Sequence, residues 1–174
     1  MIDGPGGGTR LGERFSVILP NAFKEERPGI LASAPDAQRG RGLLLFYDFS
    51  GRELWRAQGA PGERLGSSLT FGADFDANGF DEVVVGAPGA NGGAGRAYVV
   101  DSRGFLDVFV PGAPGEALGT GVSTPGDVDH DGAPDLVVSM PGIDVAGDSR
   151  RGVWMLLSGA GGQNPNQPPA LVHP

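Results

Sequence analysis

The sequence predicts an all-β chain of three repeated four-stranded antiparallel units, the last of them incomplete. Three observations carry this expectation. Two stretches, DFDANGFDE (Asp74–Glu82) and DVDHDGAPD (Asp127–Asp135), space their acidic residues alike and start 53 residues apart. Gly (32 residues) and Pro (15) would signal disorder in an aperiodic chain, but here they recur in phase and read as turns between short strands. No extended window keeps an apolar helical spacing free of Gly or Pro, so little helix is expected.

Aligning the two acidic stretches exposes the units. Unit two starts at Arg64 (RLGSSLTFGADFDANGFDEVVVGAP…) and unit three at Ala117 (ALGTGVSTPGDVDHDGAPDLVVSMP…). Unit one, from Arg10 (RLGERFSVILPNAFKEERPGILASAP…), keeps the frame but loses the acids. Pro35, Pro88 and Pro141 fall 53 residues apart, as do Asp48 and Asp101, and Gly51 and Gly104. The boundaries read as a lead at 1–9, units at 10–63, 64–116 and 117–159, and a Pro-rich tail at 160–174.

Within each unit a first strand follows the Leu-Gly pair (Leu11-Gly12, Leu65-Gly66, Leu118-Gly119). The second is the apolar run after the acidic loop, at Ile30–Ala34, Val83–Gly86 and Leu136–Ser139. The third is Leu43–Tyr47, Ala97–Val100 and Val153–Leu157; the fourth is Glu53–Ala57 and Leu106–Val110. Near-continuous apolar second and third strands suit a sheet covered on both faces. Repeats of this length with four antiparallel strands have the character of β-propeller blades. After Ser158 the fourth strand of unit three is replaced by GAGGQNPNQPPALVHP, in which only Ala170–His173 is free enough of Gly and Pro to pair.

These residues resemble the FG-GAP repeat of the integrin α-subunit propeller. The likeness rests on the Leu-Gly pair, the D-x-D-x-D/N-G loop and the apolar strand closing in Gly86-Ala87-Pro88, and it covers residues 10–159. Leu stands where that family usually has Phe, and unit one lacks the acidic loop. Three units are fewer than the blades with which propellers generally close, about four to eight.

The acidic loops have the chemistry of calcium sites. Ca²⁺ is a hard cation that takes about six to eight oxygen ligands, and a Gly at the sixth place permits the bend that turns them inward. An EF-hand is excluded, because the twelfth place, which needs Glu, is Val85 or Val138 within a β-prone run. The bland alternative is an Asp-Gly turn with solvated acids, which two loops in register make less economical. The family resemblance implies ligands at places one, three, five and nine, with a backbone carbonyl at place seven. In unit two these are Asp74, Asp76, Asn78, the carbonyl of Phe80, and Glu82, with Asp81 as a neighbouring competitor. In unit three they are Asp127, Asp129, Asp131, the carbonyl of Ala133, and Asp135. Two Ca²⁺ ions are expected, the unit-three site the tighter. The corresponding stretch of unit one, Asn21–Gly29, contains Lys24 and Arg27 and reads as an ordinary solvated loop.

Nothing in the sequence assembles a catalytic constellation, so the chain is not expected to be an enzyme. His130 sits at the fourth place of a loop and His173 in the tail, neither with a partner. No nucleophile elbow, P-loop or H-E-x-x-H motif occurs. The Gly89–Gly95 run reads as a turn, and Asp36, Asp144 and Asp148 as a solvated rim. Tyr98 and Trp154 are expected between blades; Trp55 is either packed or a sugar-stacking surface. A net charge of −8 argues against nucleic acid and anionic membranes. With no Cys there are no disulfides and no thiolate metal sites. No run is long enough to insert in a membrane, and residues 1–10 lack the apolar core of a signal peptide.

Three blades leave raw faces and edges, so the chain is expected to close by homo-oligomerisation, by polymerisation through blade edges, or within a larger propeller. The start at Met1 and the distinctive tail favour a complete chain that oligomerises. The expected function is a calcium-stabilised module of extracellular or cell-surface adhesion or self-assembly, with a protein or glycan ligand. The runner-up is a carbohydrate-binding or accessory module of a polysaccharide-active protein.

Overall fold

The computed structural model describes residues 10–18, 28–75, 79–101, 104, 106–143, 152–158 and 170–171. Among them are three four-stranded antiparallel sheets. The first holds β1 (Arg14–Ile18), β2 (Gly29–Ala34), β3 (Leu43–Asp48) and β4 (Glu53–Gln58). The second holds β5 (Ser68–Ala73), β6 (Glu82–Ala87), β7 (Arg96–Val100) and β8 (Leu106–Pro111). The third holds β9 (Val122–Gly126), β10 (Asp135–Met140), β11 (Val153–Ser158) and β12 (Ala170–Leu171). Each is a meander with its strands in chain order, the arrangement of a propeller blade. The second, third and fourth strands read from the apolar runs stand where expected, each within one residue at either end.

The third sheet differs from the expectation in one respect. Its fourth place is not empty: Ala170–Leu171 pairs with Ser158 and Leu157 of β11. The Pro- and Gly-rich stretch delays the outer strand, of which Ala170–Leu171 are described, and the tail returns to its own blade.

Two glycine-rich turns that link second to third strands contain short helical segments, α1 (Ala37–Gly40) and α2 (Ala90–Gly93). Each holds three residues in the left-handed region, Gln38, Arg39 and Gly40 in one and Asn91, Gly92 and Gly93 in the other. These turns receive the next blade. Arg64 and Leu65 donate their N–H groups to the carbonyls of Gly40 and Arg41, at 2.8 and 3.1 Å. One repeat later Ala117 and Leu118 donate to Gly93 and Ala94, at 3.0 and 3.1 Å. Gly42 and Gly95 must be glycine there. Their φ values are +83° and +87°, and a Cβ would stand 2.2 Å from a backbone atom of Leu65 or Leu118. The Leu of each Leu-Gly pair is thereby pushed inward, so Leu65 and Leu118 are buried between blades.

The sheets pack face to face in series. Leu31, Leu44 and Phe46 of the first blade meet Val83, Val85, Tyr98 and Val100 of the second. The other face of the second blade, with Val84, Ala97 and Val110, meets Leu136, Val138, Met140 and Leu157 of the third. Strands with alternate residues buried on both sides are what the continuous apolar runs required. Each fully buried Leu, Val or Phe contributes about 1.5–3 kcal/mol of transfer free energy. The inner strands lie side by side, β1 against β5 and β5 against β9.

Polar groups pin the same seams. Ser33 donates through Oγ to the carbonyl of Gly66, and Ser68 to that of Gly119, each at 2.8 Å and buried. Buried Glu63 accepts from the Ala60 N–H at 2.5 Å and from the Tyr98 hydroxyl. Burial, and then the bond to Glu63, push the Tyr98 phenol up from its ordinary value. No helix among the described residues is long and apolar enough to cross a membrane.

Candidate metal centre

The loop between β9 and β10 brings three carboxylates together. Oxygens of Asp127, Asp129 and Asp135 lie within 4.8 Å of one another. Backbone N–H groups set their orientation. Asp127 accepts from Asp131 (3.1 Å) and Gly132 (3.0 Å), Asp129 from Asp131 (3.2 Å), and Asp135 from Val128 (2.7 Å). The tight path depends on left-handed residues at His130 (φ 62°) and Gly132 (φ 92°). Asp135 is fully buried at the start of β10, whereas Asp127 and Asp129 are exposed, so the cluster opens on one side to water.

The fit to a hard cation can be tested by size. Calcium–oxygen distances of about 2.3–2.6 Å place ligands on opposite sides of the ion roughly 4.6–5.2 Å apart. Three carboxylate oxygens within 4.8 Å of one another fit inside that span, and an all-oxygen donor set suits Ca²⁺ over softer metals.

The loop between β5 and β6 repeats the two anchoring contacts. Asp74 at the first place accepts from Gly79 at the sixth (2.8 Å), as Asp127 does from Gly132. Glu82 at the ninth accepts from Phe75 at the second (2.9 Å), as Asp135 does from Val128. The longer Glu82 side chain thus makes the same contact as Asp135. Asp76 and Asn78, the expected third- and fifth-place ligands, lie outside the described residues. Both loops are preceded by a ladder irregularity, between Phe71 and Ala73 of β5 opposite β6 and between Ser123 and Gly126 of β9 opposite β10. The β1–β2 ladder of the first blade, which has no acidic loop, runs in unbroken register. Bulges at such positions bend the strand and re-aim the residues that follow.

The fifth-place residue is tied to a strand outside the loop. Asp131 is not among the three converging carboxylates. Its Oδ1 accepts from the Ala133 N–H (2.9 Å) and its Oδ2 from the hydroxyl of Ser158 (2.6 Å). Those bonds, Ser158 first and Ala133 second, hold its carboxyl below the usual carboxylate value. Sequence reasoning missed Ser158, because a serine ending a strand 27 residues away carries no loop signal. Its counterparts beside the other third strands are Asp48, the last residue of β3, and Asp101, which directly follows β7.

The other candidates resolve simply. His130 is exposed. Asp36 pairs with Arg64 at 3.1 Å and Arg10 at 3.8 Å on the surface, while His173, Asp144 and Asp148 lie outside the described residues. Trp55 packs on Phe46 with ring centroids 5.5 Å apart and against Gly104, which removes the sugar-stacking reading for it. Trp154, expected between blades, is instead exposed, since no further sheet among the described residues covers the outer face of β11.

Comparison with known proteins places the second acidic loop within a known repeat. Residues 65–100 match the FG-GAP repeat model, spanning the second Leu-Gly pair, the acidic loop, β6 and β7. The chain is 28% identical over 162 residues to integrin alpha-PS5 of Drosophila melanogaster, covering 79% of the chain and 16% of that relative. It is 24% identical over 155 residues to integrin alpha-7 of Rattus norvegicus, covering 80% of the chain and 14% of that relative. The chain therefore spans about one sixth, or less, of the length of these curated relatives. Residues 65–100 thus match one FG-GAP repeat, and the chain is similar to integrin α subunits over about four fifths of its length.

Proposed function

We propose that the chain is a non-enzymatic, calcium-stabilised FG-GAP propeller module of extracellular or cell-surface adhesion and assembly. The observation that carries this reading is the convergence of Asp127, Asp129 and Asp135 within 4.8 Å on a loop in register with the matched repeat. In the third blade Asp127, Asp129, Asp131, Asp135 and the carbonyl of Ala133 would hold the ion. In the second, Asp74, Asp76, Asn78, Glu82 and the carbonyl of Phe80 would do so.

Bound calcium neutralises carboxylates that would otherwise repel one another. What the chain's own residues do is clear in outline. The N–H groups of Val128, Gly132, Phe75 and Gly79 aim the first- and ninth-place acids, and β6 and β10 carry that order into the blade cores. Binding that occurs only in the folded chain adds to its stability, by about 2.7 kcal/mol at a hundredfold excess over Kd. Millimolar extracellular calcium suits such loops, and the integrin relatives support an adhesive setting.

Calorimetric titration of the chelated chain with calcium tests the proposal. Two binding equivalents are expected, falling to one in Asp135→Ala. Absence of binding at millimolar calcium in a folded chain would overturn the calcium reading.

A further inference from the structure

Among the described residues five large apolar side chains are exposed, and four of them lie on the two end faces of the blade series. Trp154 (69% exposed) and Val128 (48%) belong to the third blade; Phe15 (69%) and Val17 (46%) belong to the first.

The ladders assign each a counterpart inside the molecule. Trp154 pairs with Ser139 as Ala97 does with Gly86 and Leu44 with Ser33. Ala97 and Leu44 are buried where their blades meet the next. Val128, second in its acidic loop, corresponds to Phe75, which is buried in the seam between blades two and three. On the opposite end Phe15 pairs with Ala32 and Val17 with Ile30, as Leu69 does with Val85 and Phe71 with Val83. Leu69 and Phe71 pack into the seam between blades one and two. The third blade therefore shows the surface that elsewhere receives a following blade. The first shows the inner-strand part of the surface that elsewhere meets a preceding one.

We infer that the outer face of the third blade, centred on Trp154, docks head to tail on the β1 side of the first blade of a second copy of this chain, centred on Phe15 and Val17. The two internal seams supply the sense of the pairing but not its full extent. The contact is confined to the inner strands of the first blade, because Leu43, Leu45 and Tyr47 beside them are already buried in a cluster with Ala34 and Ala37. The two patches differ, so the interface is heterologous and generates a ring or an open filament according to its rotation. This deepens the assembly part of the proposed function and rests on the blade reading, but not on occupancy of the acidic loops.

Sedimentation of the full chain over a concentration series, with calcium and with chelator, reads the mass. Trp154→Glu and Phe15→Glu change exposed positions, so each variant should keep its strand content by circular dichroism. Trp154→Ala repeats the test without an added charge. The wild type should associate, and each variant should weaken association about tenfold or more, as loss of an aromatic anchor does. An equimolar mixture of Trp154→Glu and Phe15→Glu should form a dimer and stop there, since each retains one intact end. A monomeric wild type would overturn the inference. So would association of Phe15→Glu by itself at wild-type strength, which would indicate pairing of two third blades. A chain that binds calcium yet stays monomeric refutes only the docking. A chain that associates without binding calcium refutes only the calcium reading.

Discussion

The hydroxyl of Ser158, the last residue of β11, donates to Oδ2 of Asp131 at 2.6 Å and so ties the acidic loop of the third blade to its third strand. Ser158 also faces Ala170 across the β11–β12 ladder. One residue therefore touches both the candidate metal loop and the strand that completes the blade. Replacing Ser158 by Ala should lower the melting temperature by a few degrees in chelator and by less in calcium, where the ion takes over orientation of Asp131. Paired thermal melts check this, and an equal loss in both conditions would mean that Asp131 stays on Ser158 when the ion is bound.

The two loops should not bind equally. Asp127, Asp129, Asp131 and Asp135 bring four carboxylates to the third blade, whereas Asn78 replaces one in the second. Calcium titration of Asp131→Ala, which leaves the second-blade site, and of Asp76→Ala, which leaves the third-blade site, compares them. The site remaining in Asp76→Ala should be the tighter; equal affinities would remove the ranking.

The blade-to-blade turn is intolerant at Gly42. An Ala there would meet the Leu65 backbone at 2.2 Å in a left-handed conformation, at a combined cost on the order of 2–4 kcal/mol. Gly62, with φ +78° but nothing within 4 Å of a Cβ, isolates the conformational part; Ala at that position should cost only about 1–2 kcal/mol. Urea unfolding of the two variants measures the difference, and similar losses would contradict the close contact.

Acid should weaken the first blade through Asp48. Its Oδ1 accepts from the Ser50 hydroxyl (2.5 Å), the Arg52 N–H (3.0 Å) and the Ser50 N–H (2.9 Å). The Ser50 hydroxyl first, then the Arg52 N–H, hold its carboxyl below the ordinary 3.8. A carboxyl with a depressed folded pKa stabilises the fold fully above its unfolded value and loses that contribution as pH falls through the folded one. The stability gap between wild type and Asp48→Asn should thus be constant above about pH 5 and shrink below pH 4. Denaturant titrations at stepped pH test it, and a gap that grows in acid would reverse the assignment.

Much of the fold was legible because its signals are local. Apolar runs such as EVVVGAP and LLLFY mark strands buried on two faces, and the 53-residue spacing of Pro35, Pro88 and Pro141 marks the repeat. The acids of the loops were legible because their spacing reflects the reach of one short loop around a common centre. Contacts made across the repeat were not. The Ser158 hydroxyl on Asp131, the Tyr98 hydroxyl on Glu63 and the return of Ala170–Leu171 to β11 join residues far apart in sequence. No pattern of neighbouring residues encodes them.

The sequence by itself determined that this is an all-β repeat chain with three blades and two acidic loops, because strand periodicity, turn glycines and ligand spacing act within a few residues. Only the tertiary structure decided which acids converge, with Asp135 buried beside Asp127 and Asp129 while Asp131 turns to Ser158. It also decided the fate of Trp154. An apolar residue on a third strand is core when another blade covers it and surface when none does, and that depends on packing between repeats, which a single repeat cannot reveal.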